Sequence, residues 1–327
     1  MKDSITSKAT FVDFSYLLTK IKNSSFQENP FRFLLIEDFL SKEHFEQIIN
    51  AKEISLPETT TTESLIDDLL KKGYKVQSHG GSTTNIKEYL ACFNQKKWPT
   101  DKNILEGFGL TLRLKTYKTP ILEDFMAFVS SLVFKQVLEE KFEIQDANYL
   151  DTGIQKYLQG YEISPHADIR KKALTYMLNL NTAADSNKQD IHTQFMKFKP
   201  EKEYIKRFWK ENQEIDRQWL PWNWAETVIR TSANNSVVFF MPSDESVHAI
   251  KLNYNHLKHQ RTQLYGNIWY EKSTALYNNY TYEDLASSQI NIAGIIKKSK
   301  MQNMKAAWKN SIKGIIPYGI IDFLKNK

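Results

Sequence analysis

Leu110, Leu112 and Leu114 alternate with polar or small neighbours, the period of a half-buried strand, and short strands are likewise predicted at 153–158, 174–180, 235–241 and 261–270. Before them, apolar residues at helical spacing predict a helix from Thr10 to Ile21. Phe31–Ile36 then reads as a strand, and a helix follows with Ser41 as its N-cap and Phe45, Ile48 and Ile49 on one face. Pro57 to Ser64 reads as a loop, Leu65 to Lys72 as an amphipathic helix, Gly80 and Gly81 as a Gly-rich loop, and Pro120 to Glu140 as one helix. Residues 183–230 read as a long insertion with charged helical character from Glu201 to Glu214 and a tryptophan cluster at Trp219, Trp222 and Trp224. Insertions of this length in compact folds often serve as lids.

Several short strands with long returns predict an α+β protein with a mainly β core, a double-stranded β-helix or jelly roll with flanking helices. The expected organisation is an N-terminal mixed region over 1–106, a catalytic core over 107–271 carrying the 183–230 insertion, and a basic helical tail over 272–327.

Composition narrows the chemistry. The chain has 327 residues, 41% hydrophobic and 25% charged, which fits a globular protein rather than a disordered one. Its single cysteine, Cys92, excludes an intramolecular disulfide and a multi-thiolate metal site, so any metal must be held by nitrogen and oxygen. The cysteine usage, with no apolar leader and no long apolar run, leads us to expect a cytoplasmic protein. The net charge of +6 is concentrated in residues 297–327, where eight lysines face the single acid Asp322. That tail, with Ile312, Ile315, Ile316 and Phe323 among its lysines, offers a face for peripheral membrane contact, while Pro317 and Gly319 interrupt it and favour a solvated helix docked on the domain. No nucleic acid partner is expected, because charge alone does not select one.

The chemistry-bearing stretch is Tyr157-x2-Gly160-x5-His166-x-Asp168. In extended backbone, residues i and i+2 point to the same side, so an imidazole and a carboxylate are presented to one point. A third imidazole from a distant strand would complete a 2-His-1-carboxylate set with open metal positions, and His248, after the apolar run Val237–Met241 and a polar turn, is the candidate. Arg261 opens the next strand, and a guanidinium suits a carboxylate through its planar fork. His44, His79, His192, His256 and His259 fit no such pattern and are expected to be surface or structural residues.

The ordered set Tyr157, Gly160, His166, Asp168, His248 and Arg261, together with Lys172, Thr175 and Leu180-Asn181, resembles the iron(II)/2-oxoglutarate-dependent dioxygenases, in particular their prolyl-hydroxylase-like branch. The resemblance covers roughly residues 150–182 and 233–271. It implies Fe(II) on His166, Asp168 and His248, with 2-oxoglutarate and O2 as co-substrates. It further implies a co-substrate site at Arg261, Tyr157 and Thr175. The pattern departs from the family where Gln263 stands two residues after the arginine in place of Ser or Thr, so Lys258 stays open as the cation for the distal carboxylate. The reaction implied couples decarboxylation of 2-oxoglutarate to succinate with hydroxylation of an unactivated C–H bond. Asp168 stands where halogenases of the wider family carry a small residue. The substrate is left open among a small molecule, a glycan precursor and a protein side chain. A 2-oxoglutarate-independent cupin-type metalloenzyme and a non-catalytic binding barrel are the competing classes.

Overall fold

The structure, a computed structural model, describes residues 12–96 and 108–273. Its elements run α1 (Tyr16–Asn23), β1 (Phe33–Ile36), α2 (Lys42–Ile49), α3 (Thr62–Lys71), β2 (Tyr74–Val76), α4 (Ile86–Gln95), β3 (Thr111–Leu114), α5 (Pro120–Val129) and α6 (Leu132–Phe142). There follow β4 (Asn148–Tyr157), β5 (Glu162–His166), β6 (Lys172–Asn179), β7 (Thr193–Phe198), α7 (Tyr204–Glu211), β8 (Ala225–Thr231), β9 (Val237–Phe240), β10 (His248–Lys251) and β11 (Arg261–Tyr270).

Two antiparallel sheets carry the fold. A seven-stranded sheet has the order β1-β9-β6-β11-β4-β3-β2, and a four-stranded sheet has the order β5-β10-β7-β8. From β4 onward the chain passes back and forth between them, and the described strands do not close into one barrel. Side-chain alternation gives the large sheet two different faces. Ile154, Leu174, Tyr176, Leu178, Leu264 and Ile268 pack with the N-terminal helices in the main core. The opposite face turns toward the small sheet, where Met177, Val238 and Phe240 meet Phe195 of β7. Because both faces are covered, β6 is buried along nearly its whole length and has no solvent-exposed face.

Ser41 caps α2 as expected, its Oγ accepting from the His44 N–H at 3.1 Å. The single helix expected over Pro120–Glu140 is two. The first ends at Ser130, and Ser131 caps the second by accepting from the Phe134 N–H at 3.2 Å, a local bond that competes with helix continuation. Helix α3 begins inside the expected 57–64 loop, because Thr61 caps it. The first helix starts at Tyr16, later than the expected Thr10, and residues 1–11 lie outside the described ones.

The 183–230 segment departs most from expectation. Its helical part shrinks to α7, and it supplies β7 and β8, half of the small sheet, so it is integral to the two-sheet core. The N-terminal region likewise contributes β1 and β2 to the large sheet. The basic tail lies outside the described residues from 274 onward. No described helix is long and apolar enough to cross a membrane.

Candidate metal centre and its cavity

Between the sheets lies a cavity of about 230 Å³ whose walls include His166, Asp168, His248, Tyr157, Thr175 and Arg261. His166 ends β5 and His248 begins β10, and the antiparallel register places the two directly opposite one another. Asp168 follows two residues after His166, and one potential ligand atom from each of the three lies within 4.8 Å of the others. The three residues singled out in the sequence are therefore brought together, from two strands and the segment leaving β5.

Each imidazole is oriented by its own backbone. His166 Nδ1 lies 2.8 Å from the Ser164 carbonyl and His248 Nδ1 lies 2.9 Å from the Ser246 carbonyl. A carbonyl only accepts, so both Nδ1 atoms carry the proton and both Nε2 atoms offer a lone pair. Burial, reinforced by the neighbouring His248, pushes His166 down to about 3, and burial lowers His248 as well. Both rings are therefore neutral at physiological pH, the state a metal requires.

Burial opposes ionisation of Asp168, yet the Lys172 ammonium holds its carboxyl below the usual carboxylate range. Its Oδ1 accepts from Lys172 Nζ at 2.6 Å and its Oδ2 from Thr175 Oγ1 at 2.6 Å. Thr175, expected at the co-substrate, thus lines the cavity but gives its hydroxyl proton to the carboxylate. Lys172 also donates to Tyr265 Oη at 3.0 Å. A neutral His pair with one ionised carboxylate is a nitrogen–oxygen donor set suited to a divalent first-row ion.

Farther along β11 stands Arg261, 3% exposed. Its Nε donates to the Ile191 carbonyl at 3.0 Å and its Nη2 to Thr193 Oγ1 at 3.0 Å, while the guanidinium lies 4.6 Å from the centre of the Tyr157 ring. Burial lowers the Arg261 pKa and raises that of Tyr157, so at neutral pH the pair remains a cation beside a protonated phenol. Lys258 is exposed and is not among the residues of the cavity wall, whereas Arg261 is buried within it.

His79 was expected to be a surface or structural residue, and the structure sets it in the cavity wall. Burial, with Lys172 nearby, lowers it to about 4, so the ring is neutral, and it meets Tyr265 edge-on at 5.8 Å. The Gly80-Gly81 loop explains its position. Gly81 has φ +73°, and a Cβ there would fall 2.0 Å from the Glu162 carbonyl oxygen, so the loop lies flat against the start of β5. His44, His256 and His192 do serve packing or lie at the periphery: His44 bonds Tyr16, and His256 bonds Thr62 and the Gln159 N–H. Of the tryptophans, Trp219 lines the cavity, Trp224 is buried, and Trp222 donates to Glu162 Oε1 at 2.7 Å.

The molecule is thus a mainly antiparallel, two-sheet α/β protein carrying a His-Asp-His metal-binding candidate in the cavity between its sheets. No protein-family model matches the sequence, and no curated protein matches it. Among solved structures, a prolyl-4-hydroxylase from Pseudomonas putida is similar over 64% of this chain and 98% of its own, at 12% identity and a TM-score of 0.33. A prolyl hydroxylase from Trichoplax adhaerens, in complex with a hypoxia inducible factor oxygen degradation domain peptide fragment, is similar over 79% of this chain and 89% of its own, at 8% identity and a TM-score of 0.37. Likenesses at this level carry no argument about activity.

Proposed function

We propose that this chain is an Fe(II)/2-oxoglutarate-dependent oxygenase whose two sheets form a double-stranded β-helix, and that it hydroxylates an unactivated C–H bond. The observation that carries this reading is the joint content of one cavity. His166, Asp168 and His248 converge there with both Nε2 lone pairs available, and a buried arginine stands in the same walls.

The metal, when bound, would supply activation of O2 coupled to decarboxylation of 2-oxoglutarate to succinate. The protein's residues do the rest. His166, Asp168 and His248 hold the ion and leave coordination positions open. Arg261, kept in place by Ile191, Thr193 and Tyr157, binds the distal carboxylate of the co-substrate, and a charged guanidinium in a water-poor pocket does so through paired hydrogen bonds. Tyr157, held protonated, is placed to donate to that same carboxylate. The inner walls exclude water around the reacting C–H bond. The substrate is a small molecule, a glycan precursor or a protein side chain that enters the cavity, whose walls also include His79, Gln218 and Trp219.

One observation favours a metal-free binding barrel instead: Lys172 already supplies a counter-ion to Asp168 at 2.6 Å. Anaerobic titration with Fe(II) and 2-oxoglutarate separates the two. A weak visible charge-transfer band, lost in Asp168→Ala and weakened in Arg261→Gln, is the expected result. A flat spectrum at saturating iron would rule out the oxygenase reading.

A further inference from the structure

The metal ligands come from two separate connections, and the Arg217 guanidinium hydrogen-bonds to both, with Arg170 Nη2 also 3.6 Å from Asp244. His166 and Asp168 lie where the chain leaves β5, whereas His248 follows the turn between β9 and β10. The segment after α7, part of the long insertion, crosses both. Leu220 N–H donates to the Pro165 carbonyl at 2.6 Å, and Trp219 bridges His166 through backbone bonds. Arg170, two residues beyond Asp168, is fixed to the same segment. Its N–H donates to Asp216 Oδ1 at 2.8 Å, its Nε to the Ile215 carbonyl at 3.0 Å, and its Nη2 to the Trp209 carbonyl at 2.5 Å.

Arg217 is the point of junction. Its Nη1 donates to the Asp168 main-chain carbonyl at 3.0 Å, and its Nε donates to Asp244 Oδ1 at 2.8 Å. Asp244 belongs to a stiff turn in which the Ser243 N–H donates to Ser246 Oγ at 2.8 Å and Ser246 Oγ donates back to the Ser243 carbonyl at 3.0 Å. The Ser246 carbonyl is the group that sets the tautomer of His248. A continuous chain of bonds therefore runs from the backbone of Asp168 through Arg217, Asp244 and Ser246 to the ring of His248.

The Arg217 side chain is only 7% exposed and that of Asp244 21%. Removing a guanidinium from water is costly, so an ion pair this deep is not explained as general stabilisation. Its geometry instead ties the Asp168 main chain to the turn before His248, a second link between the two connections beside the His166–His248 strand pairing. Groups bonded behind metal ligands orient them and commonly govern affinity by about 10–100-fold.

We propose that Arg217 is a positioning residue of the metal centre, and that the 212–220 part of the insertion acts as a clasp holding Asp168 and His248 at coordination distance. The proposal rests on the metal-binding reading of His166, Asp168 and His248. Arg217 touches no metal itself and acts through Asp168 and Asp244.

The test is Co(II) titration of the full chain, following the visible ligand-field bands, with the thermal midpoint of the metal-free protein measured in parallel. Arg217→Gln is expected to raise the Co(II) dissociation constant about 10–100-fold and to shift the bands. Arg217→Lys, which keeps the charge but cannot make both bonds, is expected to recover only part of the affinity. An Arg217→Gln protein with the affinity and spectrum of the parent overturns the proposal, whatever happens to its thermal midpoint. If that variant does not fold, Asp244→Asn, nearly isosteric but uncharged, decides the matter in the same way, with weakened Co(II) binding expected and parental binding overturning it. Wild-type binding no tighter than that of His166→Ala would instead remove the metal reading, and this clasp with it.

Discussion

His166 of β5 and His248 of β10 face each other across an antiparallel pair, with ring centroids 4.3 Å apart and each Nδ1 tied to the carbonyl two residues before it. Two neutral imidazoles this close present their Nε2 atoms to a common point, which Asp168 shares.

Asp168 is the only carboxylate in that set, and it also neutralises the buried Lys172. Asp168→Ala is expected to weaken metal binding by more than about 100-fold, beyond what loss of an outer partner costs. It also strands the Lys172 ammonium, 11% exposed, and is expected to destabilise the protein by roughly 3 kcal/mol. Adding Lys172→Met to Asp168→Ala should restore most of that stability without restoring metal binding. Denaturant titration and Co(II) binding, performed on the same three proteins, check both halves.

Arg261 and Lys258 are separated by burial, one inside the cavity and one exposed outside it. Arg261→Gln is expected to raise the 2-oxoglutarate dissociation constant by at least about 30-fold, since truncating one partner of a desolvated charge pair costs about 2 kcal/mol or more. Lys258→Ala should leave it unchanged. Calorimetric titration of 2-oxoglutarate into the Co(II)-loaded proteins reads both, and an effect in Lys258→Ala alone would reverse the assignment.

Lys156, on the face of β4 that meets the helices, is fully buried with Thr262 Oγ1 2.8 Å from its Nζ. Burial lowers it to about 7 from a usual value near 10.5. Between those two values the unfolded chain holds the proton that the folded chain has released, so this group makes stability rise as pH increases from about 7 to 10.5. Below about 7 both states are charged and the full penalty is present, on the order of a few kcal/mol. Lys156→Met should therefore be more stable than the parent at pH 6.5 and lose most of that advantage by pH 10, a difference visible in thermal midpoints at the two pH values.

Gly266 of β11 lies beneath the ring of Tyr176 on β6. A Cβ at that position would fall 2.0 Å from Tyr176 Cζ, inside a face packed by Phe134 and Phe239. Gly266→Ala is expected to cost about 1–3 kcal/mol of stability, the usual penalty of overpacking. Gly266→Ala combined with Tyr176→Phe should recover little of it, because the obstructing atom is ring carbon and not only the hydroxyl. Chemical denaturation of the two variants checks this.

The features that the sequence by itself determined are local in origin. Ser41 capped its helix because a serine oxygen three residues from an exposed N–H needs no other part of the chain. The i, i+2 spacing of His166 and Asp168 sufficed to put imidazole and carboxylate on one side of an extended segment. His248 and Arg261 were legible because each borders a strongly apolar or alternating strand. The helix break at Ser130-Ser131 was legible in principle, since a serine there can cap a second helix, but the continuous apolar periodicity masked it.

Tertiary structure decided everything that depended on distant segments meeting. The 183–230 stretch read as an insertion because β7 and β8 are separated by α7, and only their pairing with each other and with β10 makes them core strands. His79 carried no spacing signal, and its place in the cavity depends on Gly81 packing against β5, a strand far away in the chain. The sequence favoured Arg261 over Lys258 only by its guanidinium and strand position; that Arg261 is buried between two sheets and Lys258 exposed is a property of the folded chain. Arg217 joined the site only when its guanidinium spanned Asp168 and Asp244, whose meeting is a property of the folded chain and not of any local pattern.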